Sequence, residues 1–495
     1  AVKLLLMDEK GEIKKIVSRE YPLYFPKPGW SEQNPEDWYN GFADGVKELM
    51  AGQDAFAVDG ISFSGQMHGL VLLDEQDQVI RPAILWNDGR TQDECDYLNQ
   101  EIGREKISAW TANMALTGFT APKILWVRRN EPENFSRIAK IMLPKDYLAY
   151  RLSGVHCTDM SDASGMLLLD VEHRTWSQEM IGLCGIRRDQ LAKLYESYQP
   201  VGTLLPEIAK QLGLPDTVKV VAGGGDQAVA AVGTGTVGHG MCNISLGTSG
   251  VVFVASRDFA QAPDNALHAF AHADGRYHFM GVTLAAAASN KWWMDEIIRT
   301  KNYPEEQKGI TELGANHVYY LPYLMGERSP HNDPEARGTF IGMTMDTTRE
   351  EMTQAVLEGV AFSLRDSFET VKKMGVSVTR SRINGGGAKS PLWCRIMANV
   401  LNIRIDKINS EEGPAFGAAI LAAVGRGKYA SVEEACAKLI KVVQTTEPDP
   451  YLVEKYNDRY AVYRSIYPAV KDLFPKNEIM WMRWGCRKKD IIFRQ

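Results

Sequence analysis

Three glycine-rich turns, each at the end of an apolar strand, constrain this chain more than any other feature. The apolar stretch 218–222 ends in Gly223-Gly224-Gly225-Asp226. A strand over 241–245 ends in Leu246-Gly247-Thr248-Ser249-Gly250, and the chain returns over 251–255. Ile383-Asn384 leads into Gly385-Gly386-Gly387, with a helix following from Pro391. Glycine lets backbone approach a ligand closely, and the exposed N–H groups of such turns can hold phosphate oxygens. The third turn also precedes a helix, whose positive end favours an anion. Taken singly, the first two turns are open to plainer readings as a helix start and a hairpin, and the third as a connector. Asp226 adds a carboxylate that could accept a hydroxyl proton during phosphoryl transfer. It could equally cap a helix starting at Gln227, and the two roles are compatible.

The remaining composition narrows the class. With 56 basic and 62 acidic residues the formal net charge is −6, which speaks against a general nucleic-acid binder. Seven cysteines lie scattered without a CxxC pair, so a disulfide framework or zinc site is not expected and a reducing cytoplasm fits. No apolar run is long enough to span a bilayer, and the start does not read as a signal peptide. Length suggests two large domains or three smaller ones.

Along the chain, strands and helices alternate. An opening hairpin is expected over 2–7 and 13–17, and a helix after Asn34-Pro35-Glu36-Asp37, with Asn34 as its cap. A short strand is expected over 58–62 and a second hairpin over 70–73 and from 79 on. Helical spacing covers 352–374, a small-residue helix 415–424, and a closing amphipathic helix 451–474. Near residue 238 the chain begins again. Ser249-Gly250-Val251-Val252-Phe253-Val254 is similar to Ala1-Val2-Lys3-Leu4-Leu5-Leu6, which hints at duplication. Gly233-x-Gly235-x-x-Gly238 matches a dinucleotide pattern by letter but follows a helix, so it reads as a linker. No P-loop and no protein-kinase motif set occurs. Gln66-Met67-His68-Gly69 could bond sugar hydroxyls. His268 and His272 are spaced i, i+4, but no acidic residue completes a metal pattern such as HExxH, so no metal is assigned to them. Trp292-Trp293 reads as core. Glu327 is expected to pair with Arg328 or Arg337.

Jointly these segments resemble the FGGY carbohydrate kinases of the actin/Hsp70/hexokinase superfamily, from about Val2 to Phe474. Gly118-Phe119-Thr120-Ala121-Pro122-Lys123-Ile124-Leu125-Trp126 is similar to the family's first signature. Gly326-Glu327-Arg328-Ser329-Pro330-His331 through Arg337-Gly338 is similar to its second. The segments 29–33, 66–69, 84–90, 143–147 and 161–165 resemble the branch that acts on D-xylulose.

The resemblance implies an α/β fold of two actin-like (ribonuclease H-like) domains closing over a cleft. These are a sugar-binding domain over 1–237 and a nucleotide-binding domain over 238–475, followed by an atypical basic tail, 476–495. It implies ATP and Mg²⁺, a small-molecule sugar as the other partner, no nucleic acid and no membrane; a homodimer is left open. It implies Asp226 as proton acceptor, and Gln66, Met67, His68, Trp86, Asn87 and Asp226 at the sugar. It places Gly247, Thr248, Ser249, Gly386, Gly387 and Ser390 at the nucleotide, and assigns no residue to a metal. The reaction implied is phosphorylation of D-xylulose to D-xylulose 5-phosphate, in D-xylose catabolism feeding the pentose phosphate pathway. Another ketose or polyol, such as ribulose or fuculose, is the alternative. The family's first strand carries an Asp-Leu-Gly-Thr-Ser-like turn, and this sequence starts at what resembles the residues just after it. A truncated, non-catalytic sugar or nucleotide binder is therefore the third reading.

Overall fold

The computed structural model describes residues 1–410 and 412–475. The tail 476–495 lies outside the described residues. Val2–Met7 and Ile13–Arg19 pair antiparallel, and Asp8 closes their turn by accepting N–H bonds from Lys10 and Glu12 at 2.9 Å. The helix Pro35–Met50 starts where its sequence says it should. Asn34 caps it, accepting from the Glu36 N–H at 3.2 Å, and Pro35 takes the first position, where no N–H is needed. Its buried stripe, Trp38, Phe42, Val46 and Leu49, packs with Leu4, Val17 and Val220 in one core.

The second hairpin forms as expected: the turn at Asp74 closes, Leu73 bridges Val79, Leu70 bridges Ile84, and the Ile80 amide donates to the Leu72 carbonyl at 2.9 Å. Val71, Leu72 and Leu73 are fully buried, and their strand takes Lys140–Met142 as a second antiparallel partner.

Two short parallel pairings then matter. Lys219–Val221 runs beside Gly60–Ile61, and Gly224–Gly225 runs beside Ser64–Gly65. Between them Gly223 turns the chain at φ +71°, where an added Cβ would overlap the Phe63 carbonyl and lie 2.8 Å from its nitrogen. Only glycine fits there.

The helix that follows, Asp226–Gly233, crosses the helix Gly413–Gly425 at almost backbone contact. A Cβ on Gly417 would overlap the Val229 carbonyl, and one on Gly233 would overlap the Gly413 carbonyl. Gly233 is thus the last residue of a packed helix rather than part of a plain linker. Val229, Val232, Phe416, Ile420 and Leu421 fill the flanks of this crossing.

The largest sheet has seven strands in the order His268–Ala271, Tyr277–Thr283, Gly250–Ser256, Cys242–Leu246, Arg380–Asn384, Arg404–Ile408 and Val442–Thr446. His268 opens the first of these strands, and His272 follows its end; the His272 Nε2 lies 2.9 Å from the Thr236 carbonyl.

Contacts divide the chain into two units. The first comprises Ala1–Asn243, Phe253–Met280 and Ile408–Val443; the second comprises Ile244–Val252, Gly281–Lys407 and the chain from Gln444 on. The second is organised on the helix Arg349–Lys373, opened by a Thr348/Glu351 capping box. Val356 and Ala355 of this helix pack on Trp293, Val318 and Tyr320. Trp293 is core, as its sequence suggested, and its ring N–H donates to Thr353 at 2.9 Å. No described helix is long and apolar enough to cross a membrane.

Candidate active site

In the first unit, the parallel pairing of Ser64–Gly65 with Gly224–Gly225 brings two motif segments side by side. One strand end runs directly into Gln66-Met67-His68, the other into Asp226. Met67 is 5% exposed, and a Cβ on Gly225 would lie 2.9 Å from its Cγ. Glycine at 225 therefore lets the methionine pack one residue away from the carboxylate.

Asp226 is the first residue of its helix, and Gly225 is the cap, one position earlier than the sequence suggested. Burial pushes its carboxyl up to about 6, while hydrogen bonds from the backbone and side chain of Gln227 pull the other way. The residue as a whole is half-buried.

His68 holds a left-handed backbone, φ +71°, that is uncommon for a side-chain-bearing residue. Its carbonyl accepts from Lys123 Nζ at 2.8 Å and from Thr120 Oγ1 at 3.0 Å, and its Nδ1 lies 2.7 Å from the Gly165 carbonyl. Phe119 packs on the ring at 4.8 Å. Lys123 is fully buried and also donates to the Gly118 carbonyl at 2.6 Å. Burial, opposed by Asp88, lowers its ammonium to about 7.

Gln66 donates to Gln33 at 2.9 Å, and Gln33 also accepts from the Trp38 ring. Trp86 is 55% exposed, and Asn87 is exposed beside it. The Trp86 carbonyl would lie 2.8 Å from a Cβ on Gly118, so the 84–90 and 118–126 segments touch there. Arg90 sits over Trp30 at 3.8 Å and over Trp126 at 4.9 Å, and pairs with buried Asp88 at 2.7 Å. His68 rests on the 118–126 segment, through Phe119, Thr120 and Lys123. From the sequence alone, Thr120 and Lys123 stand only as letters of a motif. A lysine inside the buried apolar run 121–127 was the available signal that it serves a buried acceptor.

In the second unit, the turns at 247–250 and 385–387 lie against each other. Gly385 adopts φ +85°, and a Cβ there would sit 2.6 Å from the Leu246 carbonyl carbon and 3.0 Å from the Gly247 nitrogen. Gly387 packs on Leu246 and Trp393 in the same way. Gly386, in contrast, is exposed, with nothing within 4 Å of an added Cβ. Thr248 is exposed, and Ser249 is partly so.

The carbonyls of Gly247 and Thr248 accept N–H bonds from Ala286, Ala287 and Ala288 at 2.9 to 3.2 Å. That fixes the turn on the start of the helix Ala287–Trp292. A short 3₁₀ turn, Gly386–Lys389, separates the glycines from the helix Pro391–Leu401, so they do not abut it directly. Ser390 caps that helix at Trp393, 3.1 Å away, and donates to Gln307 at 2.6 Å.

Glu327 does not take a guanidinium partner as the sequence suggested. Its carboxylate accepts from the Thr283 hydroxyl, from the amide of Arg328 at 2.7 Å and from that of Leu284 at 3.1 Å. Burial raises it to about 7. The Arg337 guanidinium instead bonds the Pro334 and Ala336 carbonyls. Two amides and a hydroxyl at hydrogen-bonding distance suffice to satisfy the buried acid.

The N-terminal domain of the FGGY family of carbohydrate kinases matches residues 1–233, and its C-terminal domain matches residues 242–426. The chain is 41% identical over 478 residues to a xylulose kinase of Bacillus subtilis (strain 168), covering 96% of each. It is 41% identical over 476 residues to a xylulose kinase of Escherichia coli (strain K12), covering 95% of this chain and 97% of that one. A solved structure described as a xyloylose kinase from Brucella ovis matches with a TM-score of 0.90 at 38% identity, over 95% of this chain and 97% of that one.

Proposed function

Because the chain belongs to the FGGY family of carbohydrate kinases, we propose that it phosphorylates D-xylulose with ATP, giving D-xylulose 5-phosphate and ADP. Its fold is the two-domain, actin-like type of that family, and its chemistry is phosphoryl transfer to a sugar. The observation that carries the finer reading is the parallel pairing that sets Met67 against Gly225, one residue before Asp226. In this reading residues 1–237 hold the sugar, through Gln66, Met67, His68, Trp86 and Asn87, and residues 238–475 hold the nucleotide. Such a product suits D-xylose catabolism feeding the pentose phosphate pathway, and ATP use suits the cytoplasm.

The C5 hydroxyl oxygen attacks the γ-phosphorus, the bond to the β,γ-bridging oxygen breaks, and the hydroxyl proton passes to Asp226. With a carboxyl pushed up to about 6, Asp226 is roughly 90% ionised at pH 7, yet basic enough to take a proton. Protonation blocks the base, so kcat/KM should fall about tenfold per unit as pH drops below about 6. A pH–rate profile from 5 to 8 checks this; a flat profile across that range contradicts the assignment.

The phosphates are proposed to lie on the turns at Gly247-Thr248-Ser249 and Gly386-Gly387, near Ser390. The open space at Gly386 is what fits them there. Mg²⁺ would arrive with ATP, held chiefly through phosphate oxygens, and would neutralise charge on the transferred group. Gly386→Ala should leave stability within about 0.5 kcal/mol, since its Cβ meets no atom. It should raise the KM for ATP about tenfold, a loss of about 1.4 kcal/mol. Denaturant melts and ATP titrations measure the two separately.

The deciding experiment incubates the chain with ATP, Mg²⁺ and a panel of D-xylulose, ribulose, fuculose and polyols, and follows ADP. Turnover highest on D-xylulose supports the proposal. Preference for another sugar moves the substrate and keeps the family chemistry.

A further inference from the structure

Beneath the paired strand ends lies a buried polar cluster that the proposed chemistry does not use directly. Lys145 is 3% exposed, and its Nζ lies 2.6 Å from Asp146, 2.9 Å from Asp159 and 3.7 Å from Asp162. The other oxygen of Asp159 accepts from the Ser161 amide at 2.8 Å and from the Ser161 and Ser197 hydroxyls at 2.5 and 2.7 Å. The Ser161 hydroxyl in turn accepts from the Gly225 amide at 3.1 Å. The stem of Lys145 covers the other strand end, for a Cβ on Gly65 would lie 2.5 Å from the lysine Cβ.

One network therefore grips both strands just before they deliver Gln66-Met67-His68 and Asp226. The segment Gly223–Gly225 has no side chains of its own with which to fix its position, so its amides hold it: Gly223 donates to the Ser197 carbonyl, Gly224 to the Phe63 carbonyl, and Gly225, next to Asp226, to the Ser161 hydroxyl.

We propose that Ser161, anchored by Asp159 and Lys145, is a positioning residue that sets Asp226 through the Gly225 amide. The inference rests on the kinase reading with Asp226 as base. The charges of the cluster are consistent with a rigid anchor. Burial alone would discharge Lys145, but the carboxylates of Asp146, Asp159 and Asp162 keep its ammonium well above its ordinary range. Asp162 has no hydrogen-bond partner on either oxygen. Burial pushes its carboxyl well above the usual carboxylate range, against the pull of Lys145.

Ser197 provides the control. It donates to the same Asp159 oxygen, but its hydroxyl does not accept from the Gly225 amide. In the full chain, Ser161→Ala should lower kcat for D-xylulose roughly 30- to 100-fold, the scale of a misplaced catalytic group, with sugar KM changed less than about threefold. Ser197→Ala should cost similar stability in a melt and leave kcat within about twofold. In an Asp226→Asn background, Ser161→Ala should lower the residual rate less than about twofold, because its effect passes through Asp226.

Equal losses from Ser161→Ala and Ser197→Ala, or an undiminished loss in the Asp226→Asn background, would reduce Ser161 to a stability role and overturn the proposal. So would wild-type turnover by Ser161→Ala, leaving the kinase reading intact. Absence of turnover by the unmodified chain on every sugar tested overturns the kinase reading, and this inference with it.

Discussion

Asp226→Ala is expected to lower kcat by roughly 10³- to 10⁴-fold, at the upper end for a positioned general base, while sugar affinity changes less than about threefold. Proton transfer depends on this carboxylate, whereas Gln66, Met67 and His68 stay anchored through Gln33, Gly225, Lys123 and Gly165. The same substitution should raise stability at neutral pH. The folded carboxyl titrates at about 6 against an ordinary 3.8, so the folded state holds its proton more tightly than the unfolded chain. Stability from this group is then greatest below about 4 and is lost as pH rises through about 6. Removing the carboxyl removes that loss. Asp226→Ala should therefore melt higher than the unmodified chain at pH 8, with a smaller gain at pH 5. Turnover assays, sugar calorimetry and melts at the two pH values test all three parts. A variant with near-normal turnover would sink the base assignment outright. A fall in melting temperature at pH 8 would show that Asp226 contributes structurally instead.

The glycine turns were legible because strand, glycine run and helix follow one another within a few residues. Asn34, the helix 349–373 and the core role of Trp293 were legible for the same reason: cap chemistry and helical spacing are local. Pairings over longer distances were not. That Val71–Leu73 would take Lys140–Met142 as a second partner beside its own hairpin arm depends on residues about 70 positions away. The motif letters 66–69, 84–90 and 118–126 could be recognised, yet nothing in their spacing said that Lys123 would reach the His68 carbonyl. Glu327 was misread because the sequence offered nearby arginines, whereas its carboxylate is met by the Thr283 hydroxyl and the Leu284 amide. Ser161 lay within a recognised segment, but its link to Gly225 spans 64 positions and exists only once the chain has folded.

Gly417→Ala is the second large expectation, and it joins fold to catalysis. The Cβ would overlap the Val229 carbonyl and sit 2.9 Å from the Gly233 nitrogen. Both obstacles are backbone, so no side chain can swing aside. The helices Asp226–Gly233 and Gly413–Gly425 must part, and the flanking contacts of Val229, Val232, Phe416 and Ile420 loosen with them. A loss of about 3 kcal/mol is expected, the upper range for overpacking. Gly413→Ala, in the same helix, is the contrast: its Cβ would meet Ala230 no closer than 3.8 Å, an ordinary contact, and should cost less than about 1 kcal/mol. The displaced helix is the one whose first residue is Asp226, so Gly417→Ala should also lower kcat at least tenfold at temperatures where it is still folded. Denaturant melts and turnover of the two variants decide it. If Gly417→Ala is as stable and as active as Gly413→Ala, the close crossing does not hold Asp226 in place, and its position must come from the strand end alone.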